Sequence, residues 1–302
     1  MSAGSHAEVT RRGIVAMLLA MGCFSLMDTS IKTLSAHYAP LQVAALRGLT
    51  AWPLVLAHVL WQRQGHTLWR VRWPLHLLRG GLTVGMLALF SHAVQTLSLT
   101  SAYVLFFIAP VLVTLLSGPV LGEKVPRASV WAVVLGFGGV WVALRPGAGF
   151  WDDLWRSSAS LAVLAAAVGY AVAAVAGRVL SRTDSSASLV FWTTTFLAVG
   201  ALTLALPGWQ PVLWAHAPWL VLLAVTGMAG QIFIVEAFRQ GDAAVVAPFE
   251  YSALAWGVLF DAVLWQVWPD GWTWAGATLV VAGGVVLVRA VSRPPAVPEA
   301  LS

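Results

Sequence analysis

The sequence predicts an all-α integral membrane protein with ten transmembrane helices arranged as two inverted five-helix repeats, and three observations carry that reading. Of 302 residues, 59% are hydrophobic and only 10% charged, with a mean hydropathy of +0.82. A soluble chain of this length needs roughly a quarter of its residues charged, so these side chains face lipid. The apolar residues also fall into continuous runs of about 20, the length an α-helix needs to cross a hydrocarbon core. Finally, the two halves of the chain end alike. Membrane strands are excluded, because they alternate in polarity and are about half as long.

In chain order the runs lie near 13–32, 41–61, 75–97, 100–121, 127–144, 158–180, 187–206, 217–238, 245–267 and 272–290. The first, GIVAMLLAMGCFSLM after MSAGSHAEVTRR, superficially resembles a secretory signal but lacks a convincing small-residue cleavage site, so it reads as a retained span. The single cysteine, Cys23, lies inside it and excludes a disulfide scaffold. Basic residues concentrate on cytoplasmic loops, which tests the count of spans. With a cytoplasmic N-terminus, thirteen fall on that side: Arg11, Arg12, Arg63, Arg70, Arg72, Arg79, Lys124, Arg127, Arg178, Arg182, Arg239, Arg289 and Arg293. Lys32, Arg145 and Arg156 fall outside, and Arg47 lies within a span. A miscount by one helix would scramble that division, so both termini are expected in the cytoplasm of a cell whose cytoplasmic (inner) membrane holds the protein. Tryptophans agree: Trp61, Trp69, Trp73, Trp209, Trp214, Trp219, Trp265, Trp268 and Trp272 gather at span ends, where amphipathic rings favour the interface. The net charge of +5 is then a consequence of topology, and no nucleic-acid partner is expected.

The polar connection RPGAGFWDDLWRSS, near mid-chain, separates five spans from five. The expected organisation is a first repeat over 1–145, an extracytoplasmic linker over 146–157, a second repeat over 158–290 and a cytoplasmic tail over 291–302. Each half closes with a proline-bearing helix, a short Pro-containing turn and a helix bearing a Gly-Gly pair, Gly138-Gly139 against Gly283-Gly284. Gly122-Glu123 aligns with Trp265-Gln266, 143 positions later. An odd number of spans per copy forces the copies to insert in opposite orientations, the architecture of a carrier whose halves exchange conformations to open on alternate sides.

The segments SLMDTSIKTLSAHYAPLQVAALRG, the Pro-to-LGE ending of the first half, and VVAPFEYSALAWGVL with PDGWTWAGATLVVAGG resemble the EamA type of the drug/metabolite transporter superfamily, over nearly the whole chain. They are most similar to the branch that includes S-adenosylmethionine uptake carriers, with amino-acid exporters more distant. The resemblance implies ten helices, a central substrate cavity and secondary transport of a small organic metabolite. Trp265-Gln266 stands where the family shows Gly-Glu, so no role of that acid carries over to the second half.

Charged and polar groups at membrane depth are expensive and face cavities or partners. At about 1.5 Å per residue, Asp28, Arg47, His92 and Asp261 sit roughly 6 to 9 Å outside the span centres and Glu250 about 9 Å to the cytoplasmic side. Asp28 and Arg47 read either as an ion pair stapling the first two helices or as substrate ligands; a guanidinium matches a carboxylate in its planar fork. Glu250 and Asp261, eleven residues apart, share one side of a continuous ninth helix, an acidic stripe suited to a cationic or zwitterionic ligand or to a proton. Tyr251 and Trp256 offer aromatic walls or pack against lipid. His92 with Gln95, Tyr103, Phe107 and Gln231 complete the candidate cavity lining. Gly81 to Gly85 and Gly118 to Gly122 have the GxxxG spacing of close helix packing; oligomeric state stays open.

An enzyme would show a tight catalytic cluster, and neither HExxH nor a Gly-x-Ser-x-Gly elbow occurs. A channel would call for a symmetric selectivity ring. Without a GxxxxGK[ST] loop, ATP is not the energy source within this chain. No cofactor or metal is expected. The expected partners are lipid, a small-molecule substrate that is an amino acid or derivative, and a coupling proton or exchange substrate. The alternative substrate class is a hydrophobic cation or drug.

Overall fold

The computed structural model describes residues 3–34, 36–93, 105–144, 157–266, 268 and 270–291, and every described element is a helix, a turn or a loop. The helices are α1 (Ala3–Leu34), α2 (Pro40–Trp61), α3 (Trp73–Ala93), α4 (Ala109–Leu121), α5 (Arg127–Leu144), α6 (Ser158–Leu180), α7 (Ser186–Ala205) and α8 (Ala217–Gln240). The ninth span, α9, comes in three pieces, Ala243–Val246, a 3₁₀ segment Ala247–Tyr251, and Ser252–Trp265, and α10 is Gly271–Val291. Among the described residues, six helices are long and apolar enough to cross a membrane unaided.

Local chemistry sets the boundaries. Pro40 opens α2, where the missing N–H would have no partner anyway. Ser157 and Ser185 cap α6 and α7 by accepting from the N–H groups of Ser160 and Ser188. Gly122 ends α4 in the left-handed region (φ 68°), donating to Gly118 O while Glu123 N–H reaches Ser117 O; the Gly122 bond is the 5→1 closure of an αL helix end. At the matching end of α9 stands Gln266, at φ 57°.

The interior is small-residue rich, with Ala20, Ala45, Ala166, Ala167, Ala171 and Ala237 fully buried, while Leu60, Leu115, Val199 and Val221 face outward. That inversion is the mark of helices packing by close approach under lipid. Its sharpest instance is α5 on α10. A Cβ on Gly139 would lie 2.5 Å from Gly276 O, and one on Gly283 3.1 Å from Ala132 O. Both the two glycines and their two partners are 144 positions apart, as are the left-handed caps Gly122 and Gln266. The duplication is therefore offset by 144 here, correcting the expected 143. The GxxxG spacings are corrected too: among the described residues, a Cβ on Gly81, Gly85 or Gly122 meets nothing within 4 Å, and on Gly118 nothing nearer than 3.8 Å.

Helix pairing displays the inverted repeat. α1 packs on α8, α3 on α6, α2 on α7, α5 on α10, and α4 on the first pieces of α9. Exchanging each helix for its counterpart five places along maps α1·α8 onto α6·α3 and returns the other pairs to themselves. A pseudo-twofold axis follows, with one bundle of α3, α4 and α6 and its counterpart of α8, α9 and α1. Two matching clamps bind the repeats at opposite ends. Tyr38 Oη accepts from Leu213 N–H and pairs with His216, while Gln42 exchanges two hydrogen bonds with the Gln210 backbone. At the other end Asp184 accepts from Arg72 N–H and pairs with His76, and Ser188 Oγ donates to Thr67 O.

Candidate functional site

Between the two bundles lies a cavity of about 240 Å³, walled by α1, α2, α3, α6, α7 and α8 together with Phe106. Most of the wall is apolar. Two guanidiniums enter it. Arg47, in the second turn of α2, stands over the Phe24 ring with Cζ 5.7 Å from the centroid, a cation–π arrangement. Arg79 comes from α3, buried to 8% exposure, where Nη1 donates to Leu189 O at 3.5 Å and the side chain lies along Gly177. Tyr170, Gln231, Thr83, Thr193 and Thr194 supply the remaining polarity. The Thr83 and Thr193 hydroxyls donate to Arg79 O and Leu189 O of their own helices, so their accepting lone pairs remain for a ligand.

The sequence-predicted residues are distributed as follows. Arg47 and Gln231 line the cavity. Asp28 interacts electrostatically with Arg47, but the ion pairs among the described residues do not include an Asp28–Arg47 pair. Glu250 is 6% exposed in the 3₁₀ piece of α9 and does not line the cavity, and it interacts electrostatically with Tyr170 of the cavity wall. Tyr251 is fully buried against Gly136, its ring 6.0 Å from that of Phe107. Trp256 packs on Gly22 and donates Nε1–H to Leu18 O at 3.1 Å. His92 is exposed at the end of α3, away from the cavity. Tyr103, Gln95 and the Asp261 side chain lie outside the described residues. The shared face of Glu250 and Asp261 assumed one continuous helix; a 3₁₀ segment advances about 120° per residue instead of 100°, so that periodicity does not run through Glu250.

Arg79 and Tyr170 are the residues sequence reasoning missed. Arg79 lies six positions into α3 and was counted among the loop charges. Its signal was the apolar run LTVGMLALF beginning three residues later.

Just beyond the cavity residues Gly177 and Phe238, at the end where α1 begins, a polar lock joins the bundles. Arg178 donates from Nε to Glu123 Oε1 (3.0 Å), from Nη1 to Phe238 O and Arg239 O (2.8 Å each), and from Nη2 to Asp242 Oδ1 (2.8 Å). Glu123 Oε2 also accepts from Ala243 N–H at 2.7 Å. Glu123 and Arg178 belong to the α4 and α6 side and the remainder to the α8 and α9 side, so the lock ties the two bundles together at that end. Among the described residues no group of three metal-ligating side chains forms.

Residues 11–145 and 157–289 match the EamA-like transporter family, and the chain belongs to it, within the drug/metabolite transporter superfamily. It is a multi-pass membrane protein of a transporter family. The pseudopaline exporter CntI of Pseudomonas aeruginosa is 29% identical over 93% of this chain and 98% of its own. The S-adenosylmethionine uptake transporter of Rickettsia conorii is 27% identical over 89% and 90%, and the riboflavin transporter of Vibrio cholerae 32% over 68% of each. A crystal structure sharing 22% identity superposes with a TM-score of 0.76 over 95% of this chain and 99% of that one, which establishes the common fold.

Proposed function

We propose that the protein is a secondary transporter that moves a carboxylate-bearing small metabolite, an amino acid or derivative, across the inner membrane by alternating access. The observation that carries this reading is the pair of guanidiniums, Arg47 and Arg79, facing one cavity between two inverted bundles. A planar fork of donors matches a carboxylate, and no carboxylate lines the same wall among its described residues, which disfavours a hydrophobic cation. Relatives named for S-adenosylmethionine, riboflavin and pseudopaline are consistent with a metabolite rather than an inorganic ion. The end that carries Arg178 is the cytoplasmic one in this reading, following the distribution of basic residues, and both termini lie there.

Counterflow in proteoliposomes tests the proposal, comparing amino acids, dicarboxylates, S-adenosylmethionine and a lipophilic cation. A carboxylate should exchange, and Arg47→Ala and Arg79→Ala should each lower its transport by about ten- to a hundredfold, the equivalent of one charge-assisted hydrogen bond. Transport of the cation alone, or a carboxylate flux indifferent to both substitutions, would overturn it.

A further inference from the structure

Glu250 is a buried acid that the cavity does not use directly. Its Oε1 finds no hydrogen-bond partner among the described residues, and neither do the neighbouring Tyr251 Oη and Ser252 Oγ. The 3₁₀ segment that holds it packs against α1, α4, α5 and α10. Of these, α4 has no titratable residue, α1 carries Cys23 and Asp28 at mid-span, and α5 and α10 bring only Arg127 and Arg289 at their ends. The group with which the Glu250 carboxyl interacts electrostatically is Tyr170 of α6. Tyr170 in turn interacts with Arg79 and lines the cavity. The groups therefore form a chain from cavity to acid: Arg79, Tyr170, Glu250.

An ionised carboxylate in that place would be a charge without a countercharge in a low-dielectric interior, a penalty of several kcal/mol, so the resident form is the carboxylic acid. Ionisation would also draw, through Tyr170, on the positive field of Arg79 that a substrate anion needs. The sign of the coupling follows. An anion in the cavity repels charge on Glu250 and favours its proton, and by reciprocity the proton favours the anion. Resting on the carboxylate reading above, we propose that Glu250 is a proton-binding site linked to the cavity through Tyr170, so that the substrate anion and one proton are bound and carried together. The proton passes from water in the cavity to a Glu250 carboxylate oxygen and leaves by the same path after the anion departs.

The test uses the purified full-length chain in detergent, weakly buffered with a pH indicator and mixed with glutamate or succinate as probes. Mixed at an alkaline pH at which Glu250 is ionised in the empty protein, wild type should take up about one proton per bound anion, and at acid pH, where the acid form is already resident, none. Glu250→Gln, nearly isosteric, should bind the same probe with no proton uptake and with affinity independent of pH, and Tyr170→Phe should weaken the uptake. Proton release, or uptake unchanged in Glu250→Gln, overturns the proposal. If no carboxylate binds at all, the cavity reading fails instead, and a second measurement judges the proton site alone. A hydrophobic carbodiimide, which attacks protonated carboxyls in apolar surroundings, should modify Glu250 at neutral pH by peptide mapping, at a rate that falls as pH rises. An unmodified Glu250 in folded protein overturns the site.

Discussion

Replacing Arg178 by Ala should open the cavity at the end where α1 begins. Its side chain is 13% exposed and Glu123 only 6%, whereas Asp242 is 38% exposed. Removing one member of a buried pair costs about 3–5 kcal/mol, and the partly exposed Asp242 link adds at most about 1 kcal/mol. Glu123 keeps its bond from Ala243 N–H, which softens the loss, so about 4 kcal/mol is a fair sum. Because every one of these bonds spans the two bundles or braces one that does, most of the loss falls on the closed arrangement. At about 1.4 kcal/mol per decade, the closed-to-open ratio drops by up to a thousandfold. The chain has one cysteine, so Cys23→Ser leaves a clean background, and Ala174→Cys puts a thiol in the cavity wall. A membrane-impermeant thiol reagent applied from the Arg178 side should then react at least about tenfold faster in the Arg178→Ala protein. A melting temperature that falls while the labelling rate stays the same would mean that the lock staples the fold and does not gate it.

Further outcomes follow from the same geometry. Burial alone would push the Asp184 carboxyl up, but hydrogen bonds from Thr183, Arg72 N–H and His76 outweigh it and hold the group below the usual range. Its stabilising contribution is thus full above the unfolded value of about 4 and is lost as pH falls through the depressed folded value. Thermal melts should show wild type losing stability more steeply than Asp184→Asn in acid. Gln266 occupies a left-handed position that costs a non-glycine residue about 1–2 kcal/mol, so Gln266→Gly should raise the melting temperature; a fall would mean that the Gln266 hydrogen bond to Val263 O dominates. Gly139→Ala, placing a Cβ 2.5 Å from Gly276 O, should destabilise by about 1–3 kcal/mol, seen as loss of monodisperse protein on size exclusion. An unchanged profile would show that α5 and α10 can part without penalty.

The ten spans and their inverted duplication were legible because lipid imposes length and polarity on each helix independently of its neighbours. Arg47 and Gln231 could be placed at cavity depth for the same reason. Arg79 and Tyr170 could not. Whether an arginine six residues into a helix turns to the headgroups or into a cavity depends on what packs beside it, and here Gly177 of α6 leaves it room. The break in α9 was likewise hidden, since Pro248 marks an interruption but not the 3₁₀ winding that carries Glu250.

By itself, then, the amino-acid order determined the membrane environment, the count of crossings, the repeat and the family resemblance, all properties of a single helix or of one half compared with the other. The tertiary structure alone decided which charges meet. The bundle of α3, α4 and α6 is assembled from both repeats, as is its counterpart, so Arg178 finds Asp242, Tyr38 finds His216 and Tyr170 finds Glu250 across separations of 64 to 178 residues. No local pattern encodes such meetings, because they are set by how helices of fixed length cross and by where small side chains let them come close.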